Sequence, residues 1–396
     1  MSSPSTPSFL TNDQRKYLGL NPVEDSWELV YLSKKYGTYL YFDGDIIRKI
    51  IHLEEDGSYY EGEAFEHTAQ NHTILLPKTN RGKPKKLNYT ATLSFSTFGI
   101  YFSFSSQMVI IANYTTQTTY YSQEFNDESV SLQQWLNKWV EESNDNDLKD
   151  IEAFKNTKRR HVKYREGDFF TFKIGRRKWG FGRIVLNIAE RRKSPQFKKE
   201  KNYGLANLMG QALYIMIYDK ISDKPETDID KLINHRALPV QSIMDNRFYY
   251  GEYKIIGNRT VQPEEWEPII SYGRWDKENV YLQYGLIFKE KPIRRFNKYL
   301  IDEKGETSPY KNEGIGFYID NYDILEDLLT GNTPKRAFRF FWDNDLRKEE
   351  NINIKREIFK TFGLDPDKSY AENLMAETQK SEKSTFFDRI MKFINK

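Results

Sequence analysis

Cysteine is absent from the 396-residue sequence. That removes a disulfide framework, a Cys-ligated zinc or iron–sulfur site and a cysteine nucleophile, and it suits a reducing compartment. Long apolar runs are missing too: none approaches the roughly 18 residues of a membrane-spanning helix. Met1 to Ser8 is rich in Ser and Pro and lacks the charged-then-apolar order of a signal peptide. The expected location is therefore the cytosol, with no membrane partner. Catalytic signatures are scarce as well. There is no Gly-x-Ser-x-Gly elbow and no Gly-Lys-Ser/Thr phosphate loop. Gly175 to Gly182 is glycine-rich, but Arg183-Ile184-Val185-Leu186 reads as strand where a phosphate loop needs a helix N-terminus. The five histidines, His52, His67, His72, His161 and His235, show neither His-x-His nor His-Glu-x-x-His spacing. His67 and His72 beside Glu61, Glu63 and Glu66 form the one neighbourhood with metal-binding residue types, and no spacing there fixes a ligand set. Hence no enzyme, no cofactor and no metal are expected.

What is present is aromatic and charged. Hydrophobic residues make up only 38% and charged residues 30%, yet 27 Tyr, 26 Phe and 7 Trp supply enough ring surface to argue against disorder. Tyrosine joins an apolar ring to a polar tip, which favours half-buried sheets. The length predicts two or three domains.

From Trp27 to about Gln123, short alternating or aromatic runs are broken by turn residues. Trp27 to Leu32, Thr38 to Phe42, Ile46-Ile47, Tyr59-Tyr60, Thr73 to Leu76, Ala91 to Phe95, Ile100 to Phe104, Val109 to Ile111 and Thr118 to Tyr121 read as strands, with a hairpin at Asp43-Gly44. Leu132, Trp135, Leu136, Trp139 and Val140 then follow helical spacing behind Ser131 as N-cap. The reading is a β-rich antiparallel N-terminal domain over 1–145 closed by an amphipathic helix, and a polar, acidic linker over 146–160. Beyond it, Gly167 to Leu186, Leu213 to Tyr218, Tyr253 to Ile256 and Val280 to Phe288 predict strands. Asn202 to Met209 reads as short helix or loop, and Tyr322 to Leu329, Ile352 to Phe362 and the stretch Lys380 to Lys396 as helical. The expected fold class is thus α+β: a second α+β domain over 161–335 with a small barrel-like sheet, then a helical region over 336–396. Four Asn-x-Thr sequons, at Asn71, Asn88, Asn113 and Asn258, have no secretory context to use them.

Charge is unevenly placed. Lys158 to Lys201 holds 16 Lys and Arg against four acids, a local net of +12 in a chain whose total is +3, so the remainder carries −9. Such a segment attracts nucleic acid or an acidic partner over long range. Arg176-Arg177-Lys178 occupies a predicted hairpin tip, flanked by Lys158-Arg159-Arg160 and Arg191-Arg192-Lys193. Within it, Tyr164 to Ile174, the basic turn, and Trp179-Gly180-Phe181-Gly182-Arg183-Ile184-Val185 make one unusual hairpin. Gly167-Asp168 punctuates entry to the first strand. Gly180 and Gly182 leave one strand face bare, so that a ring or another backbone can approach, and Trp179, Phe181 and Arg183 line the other.

This pattern of Gly-Asp, strand, turn, Trp-Gly-x-Gly-Arg-Ile resembles the immunity protein 26 family of bacterial polymorphic-toxin systems, over roughly residues 162–335. Ala212 to Asp219 as a central strand, Leu238-Pro239 and Tyr253 to Asn258 are compatible with it. The resemblance implies a cytosolic α+β domain that binds and neutralises a cognate toxin by protein–protein contact, without catalysis. Arg176, Arg177, Lys178, Trp179, Phe181 and Arg183 are the expected contacts, and Gly167, Asp168, Gly180 and Gly182 the structural residues of the motif. The alternative is a nucleic-acid-binding defence or regulatory protein that uses the basic 158–201 segment.

Overall fold

In the computed structural model of the chain, the described residues are 9–33, 37–76, 79, 81–125, 130–193, 211–237, 240–274, 279–292, 315–316, 346 and 349–380. They divide into two compact units: Met1–Val162 with Tyr249–Glu252, and Lys163–Phe248 with Tyr253–Lys396. The expected elements at Asn202 to Met209, Leu238-Pro239 and Tyr322 to Leu329, and all but the first residue of the expected terminal helix Lys380 to Lys396, lie outside the described residues.

The first unit is built on antiparallel strands β1 (Glu28–Ser33), β2 (Thr38–Asp43), β3 (Ile46–Leu53), β4 (Tyr59–Ala69), β7 (Phe98–Phe104), β8 (Met108–Asn113) and β9 (Thr118–Glu124), paired in that order. The short strands β5 (Ile74–Leu76) and β6 (Lys85–Lys86) branch from β4. The Asp43-Gly44 hairpin forms as expected, with Gly44 at φ +58°. One sheet face packs Ile51, Tyr59, Phe102, Phe104 and Ile111 under three helices: α1 (Asn12–Leu18), α3 (Leu132–Glu141) and α4 (Asp145–Lys155). Ser131 caps α3 and closes a capping box with Gln134. The opposite face packs Leu40, Phe42, Ile47 and Ile50 under Leu75, Ala91 and their neighbours.

Two expectations are corrected here. Ala91 to Phe95 is not a strand: Asn88 accepts a hydrogen bond from the Ala91 amide and starts a short helix, α2 (Tyr89–Thr92). The stretch 146–160 is not all linker, since α4 runs to Lys155 behind Asn144, whose side chain caps the amides of Asn146 and Asp147, and Ile151 is buried in the first core. Sequon residues serve structure in both units. Asn88 caps α2, Asn113 accepts from the Thr115 and Thr116 amides, and Asn258 donates to Asp168.

The second unit holds an open six-stranded sheet in the order β14 (Lys254–Asn258), β10 (Asp168–Ile174), β11 (Lys178–Asn187), β12 (Ala212–Ser222), β13 (Gln241–Met244) and β18 (Ile315–Gly316). Every pairing is antiparallel except the last. Among the described residues the sheet does not close, so a barrel is not formed. Both faces are buried. Phe169, Phe181 and Val185 pack on one side, and Phe170, Phe172 and Ile184 on the other. A separate three-stranded antiparallel sheet, β15 (Ile270–Arg274), β16 (Asn279–Tyr284) and β17 (Ile287–Pro292), packs Tyr284 on Phe359 and Tyr370. Phe359 belongs to helix Ile352–Phe362, which ends at Gly363 in the left-handed conformation that glycine adopts readily. A further helix runs over 370–380. No helix of the described residues is long and apolar enough to cross a membrane.

Candidate partner-binding hairpin

Strands β10 and β11 form the basic hairpin read from the sequence, with Ile174 opposite Lys178, Lys173 opposite Trp179 and Phe169 opposite Arg183. Gly175, at φ +57°, opens the turn. At the tip Arg177 and Lys178 are exposed, while Arg176 and Trp179 are half-buried. The Lys178 ammonium lies 2.5 Å from Asp223. The Trp179 ring has two cations near it, with Lys254 Nζ 5.0 Å and Lys173 Nζ 6.0 Å from its centroid. Exposed cations around a part-exposed indole can dock a surface that carries carboxylates and an apolar step.

The two strand faces behave differently from each other. A Cβ on Gly180 would lie 2.5 Å from the Phe172 ring, and one on Gly182 would lie 2.4 Å from the Phe170 ring and 2.7 Å from the Met216 carbonyl. The bare face therefore holds phenylalanine rings from the neighbouring strand, the close approach that two glycines permit.

Trp179, Phe181 and Arg183 do share a face, but alternation does not expose them. Phe181 and Arg183 are fully buried. Their expected role as partner contacts does not fit this burial: with Phe169, Val185 and Tyr218 beside them on the same face, they lie in a core cluster that also takes in Leu232 and Ile269 from outside the sheet. Arg183 instead donates from Nη1 to Glu265 and from Nη2 to the carbonyls of Arg259, at 2.5 Å, and Thr260, at 3.1 Å, and its guanidinium lies 4.7 Å from the Phe169 ring centroid. Burial pushes the nearby Tyr218 phenol up to about 12, with Arg183 pulling the other way.

Gly167 and Asp168 join the same scaffold. Asp168 is buried and accepts from the Arg165 amide at 2.8 Å and the Asn258 side-chain amide at 2.7 Å. Gly167 has φ +86°, and a Cβ there would lie 2.1 Å from the Arg259 carbonyl oxygen. Gly167→Ala must strain the backbone and displace another backbone, so a loss of at least about 2 kcal/mol is expected. Urea unfolding of the full chain checks this; an unchanged midpoint would refute it.

Sequence reasoning missed the braces of this unit. Glu166 accepts both Nε and Nη2 of Arg191, at 3.0 and 2.9 Å, as well as the Asn187 amide. Arg191 in turn lies 5.1 Å from the Trp266 ring centroid, and Trp266 Nε1 donates to the Val185 carbonyl at 2.8 Å. It also missed a buried charge network in the first unit. Lys49 Nζ lies 3.0 Å from Glu61 and 2.6 Å from Glu63, Arg15 Nε lies 2.8 Å from Glu61, and Tyr59 donates to Glu61 at 2.7 Å. Nothing local in sequence joins residues so far apart.

The histidines stand apart. His52 Nδ1 lies 3.2 Å from the Thr38 hydroxyl, and burial lowers its pKa. His67 meets Phe65 edge-on, and His72 stacks on Phe42 at 3.8 Å with Nε2 at 3.0 Å from the Gly44 carbonyl. Glu66 accepts from the Ser96 amide. Among the described residues no group of three or more His, Asp or Glu side chains is placed to hold a metal ion.

An α+β unit with a largely antiparallel central sheet that includes a basic hairpin is thus the structural class of the second half. The family model of immunity protein 26 matches residues 165–278. That segment runs from the entry of β10 past β15, within the range where the sequence resemblance was expected, and it supports an immunity role in general. No curated protein and no solved structure matches the chain.

Proposed function

We propose that the chain is an immunity protein of the cytosol that binds and neutralises a cognate toxin by direct contact, without catalysing a reaction. The observation that carries the reading is the position of the basic tip, exposed at Arg177 and Lys178 with Arg176 and Trp179 half-buried beside them, inside the segment that matches immunity protein 26. Inhibition then comes from covering the toxin's working surface, with Trp179 and the arginines as anchors. The surface facing the tip carries acidic groups, because a cationic partner would meet like charge. Native mass spectrometry of the chain isolated gently from its host at low salt is expected to show a stoichiometric polypeptide partner; free chain alone counts against the reading. With that partner in hand, R176E/R177E/K178E is expected to abolish protection of cells that express it, while the melting temperature stays within a few degrees of wild type. Retained protection removes the hairpin from the interface.

A further inference from the structure

A second charged surface lies in the first unit and plays no part in the hairpin. Residues 158–162 run extended after α4 and are held against the turn 249–252 by two bonds: the Val162 amide donates to the Tyr249 carbonyl at 2.8 Å, and Arg160 donates to the Gly251 carbonyl at 2.8 Å. Gly251 sits at φ +72°, and a Cβ there would lie 2.5 Å from Arg160 Nε, so the close seating depends on glycine. This pairing sets rings beside cations. His161 stacks on Tyr249 at 4.4 Å between centroids, and the Arg159 guanidinium lies 5.2 Å from the Tyr250 ring centroid. Tyr249 and Tyr250 meet edge to face at 5.2 Å. Lys158, Arg159, Arg160 and His161 are all exposed, and Tyr249 is 37% exposed. Among the described residues Lys158, Arg159 and Arg160 are in no ion pair, although salt bridges occur throughout both units.

A fixed group of uncompensated cations interleaved with stacked rings matches a ligand that alternates negative charge with flat faces. The geometry points to a binding surface for single-stranded nucleic acid, with Lys158, Arg159 and Arg160 taking phosphates and Tyr249, Tyr250 and His161 offering stacking faces for bases. An acidic polypeptide satisfies the cations but leaves the rings without a counterpart, so the rings decide between them. The surface is independent of the immunity reading, since it uses neither the hairpin nor the matched segment's tip.

The test is fluorescence anisotropy of the full chain with labelled oligouridine and oligothymidine, across a salt series. Binding is expected, with log affinity falling linearly as log salt rises; preference between the two probes separates RNA from DNA as the natural ligand. K158E/R159E is expected to weaken binding at least about tenfold, and Y249A/Y250A about tenfold or more through lost stacking. Y249F/Y250F keeps both rings and is expected to bind like wild type, which separates lost stacking from local unfolding. Absence of binding at low salt, or wild-type binding by K158E/R159E, overturns the proposal. So does tight binding of polyglutamate that Y249A/Y250A leaves unchanged, which would make the surface a reader of acidic polypeptide.

Discussion

Replacing Lys49 by methionine is expected to destabilise the first unit by about 3–5 kcal/mol, because one partner of a buried ionic set is removed and the others stay. Lys49 is fully enclosed between Glu61, which is also fully enclosed, and Glu63. Without its ammonium, two carboxylates two residues apart on β4 share one buried side, and Arg15, paired with Glu61, is the cation left in the network. Arg15 comes from α1, so the same network fastens that helix to the sheet. Adding Glu63→Gln to Lys49→Met removes the excess negative charge and is expected to recover a sizeable part of the loss. Thermal unfolding followed by fluorescence, to which Trp135 and Trp139 of the first core contribute, measures both variants. A single-variant effect below about 1 kcal/mol, the ordinary range of exposed pairs, would refute the account. Acid should reveal the same set. Burial pushes the Glu61 carboxyl up, but Lys49, Arg15 and the Tyr59 hydroxyl more than reverse this and hold it below its usual value. Its folded pKa is therefore depressed. The stability it contributes is complete above the unfolded carboxylate range, near pH 4.3, and is lost as pH falls from there through the folded value. The melting temperature of the first unit should drop in that window, and less steeply in Glu61→Gln.

How far the sequence could be read depended on how local each signal was. Asp43-Gly44, Ser131 and Gly363 act within four residues of themselves, and each sits where its chemistry requires. Ala91 to Phe95 went wrong through an equally local effect: the apolar run suggested a strand, but the Asn88 side chain satisfied the Ala91 amide and paid the cost of starting a helix. The acidic α4 hid as linker because only Ile151 and Phe154 anchor it to the core. The candidate site shows a different limit. Period-two alternation placed Trp179, Phe181 and Arg183 on one face and Gly180 and Gly182 on the other, and both assignments hold. Alternation cannot report what covers a face. Arg183 finds Glu265 82 residues away, and His161 finds Tyr249 across a comparable interval. A sequence stripe and a surface stripe are the same object only when no other layer packs on it.

Arg183 offers the sharpest separation between those two cases. Replaced by methionine, it is expected to cost the second unit about 3 kcal/mol, near the lower end for a broken buried pair, since Glu265 keeps some solvent access. The loss has three sources. Glu265 loses its cation, the carbonyls of Arg259 and Thr260 lose a donor, and the Phe169 ring loses the guanidinium above it. Lysine at the same position keeps the charge but not the planar fork that reaches the carboxylate and two carbonyls together, so an intermediate loss is expected. Urea unfolding of the full chain measures the stability, and the native partner measures binding by the folded fraction. Because Arg183 is wholly enclosed, folded Arg183→Met should bind that partner with unchanged affinity, whereas R176E/R177E/K178E should bind weakly at full stability. The reverse pattern, a stable Arg183→Met that no longer binds, would mean that the face that holds Arg183 beside Phe169 and Tyr218 opens to the partner, and the buried role assigned to Arg183 would fall.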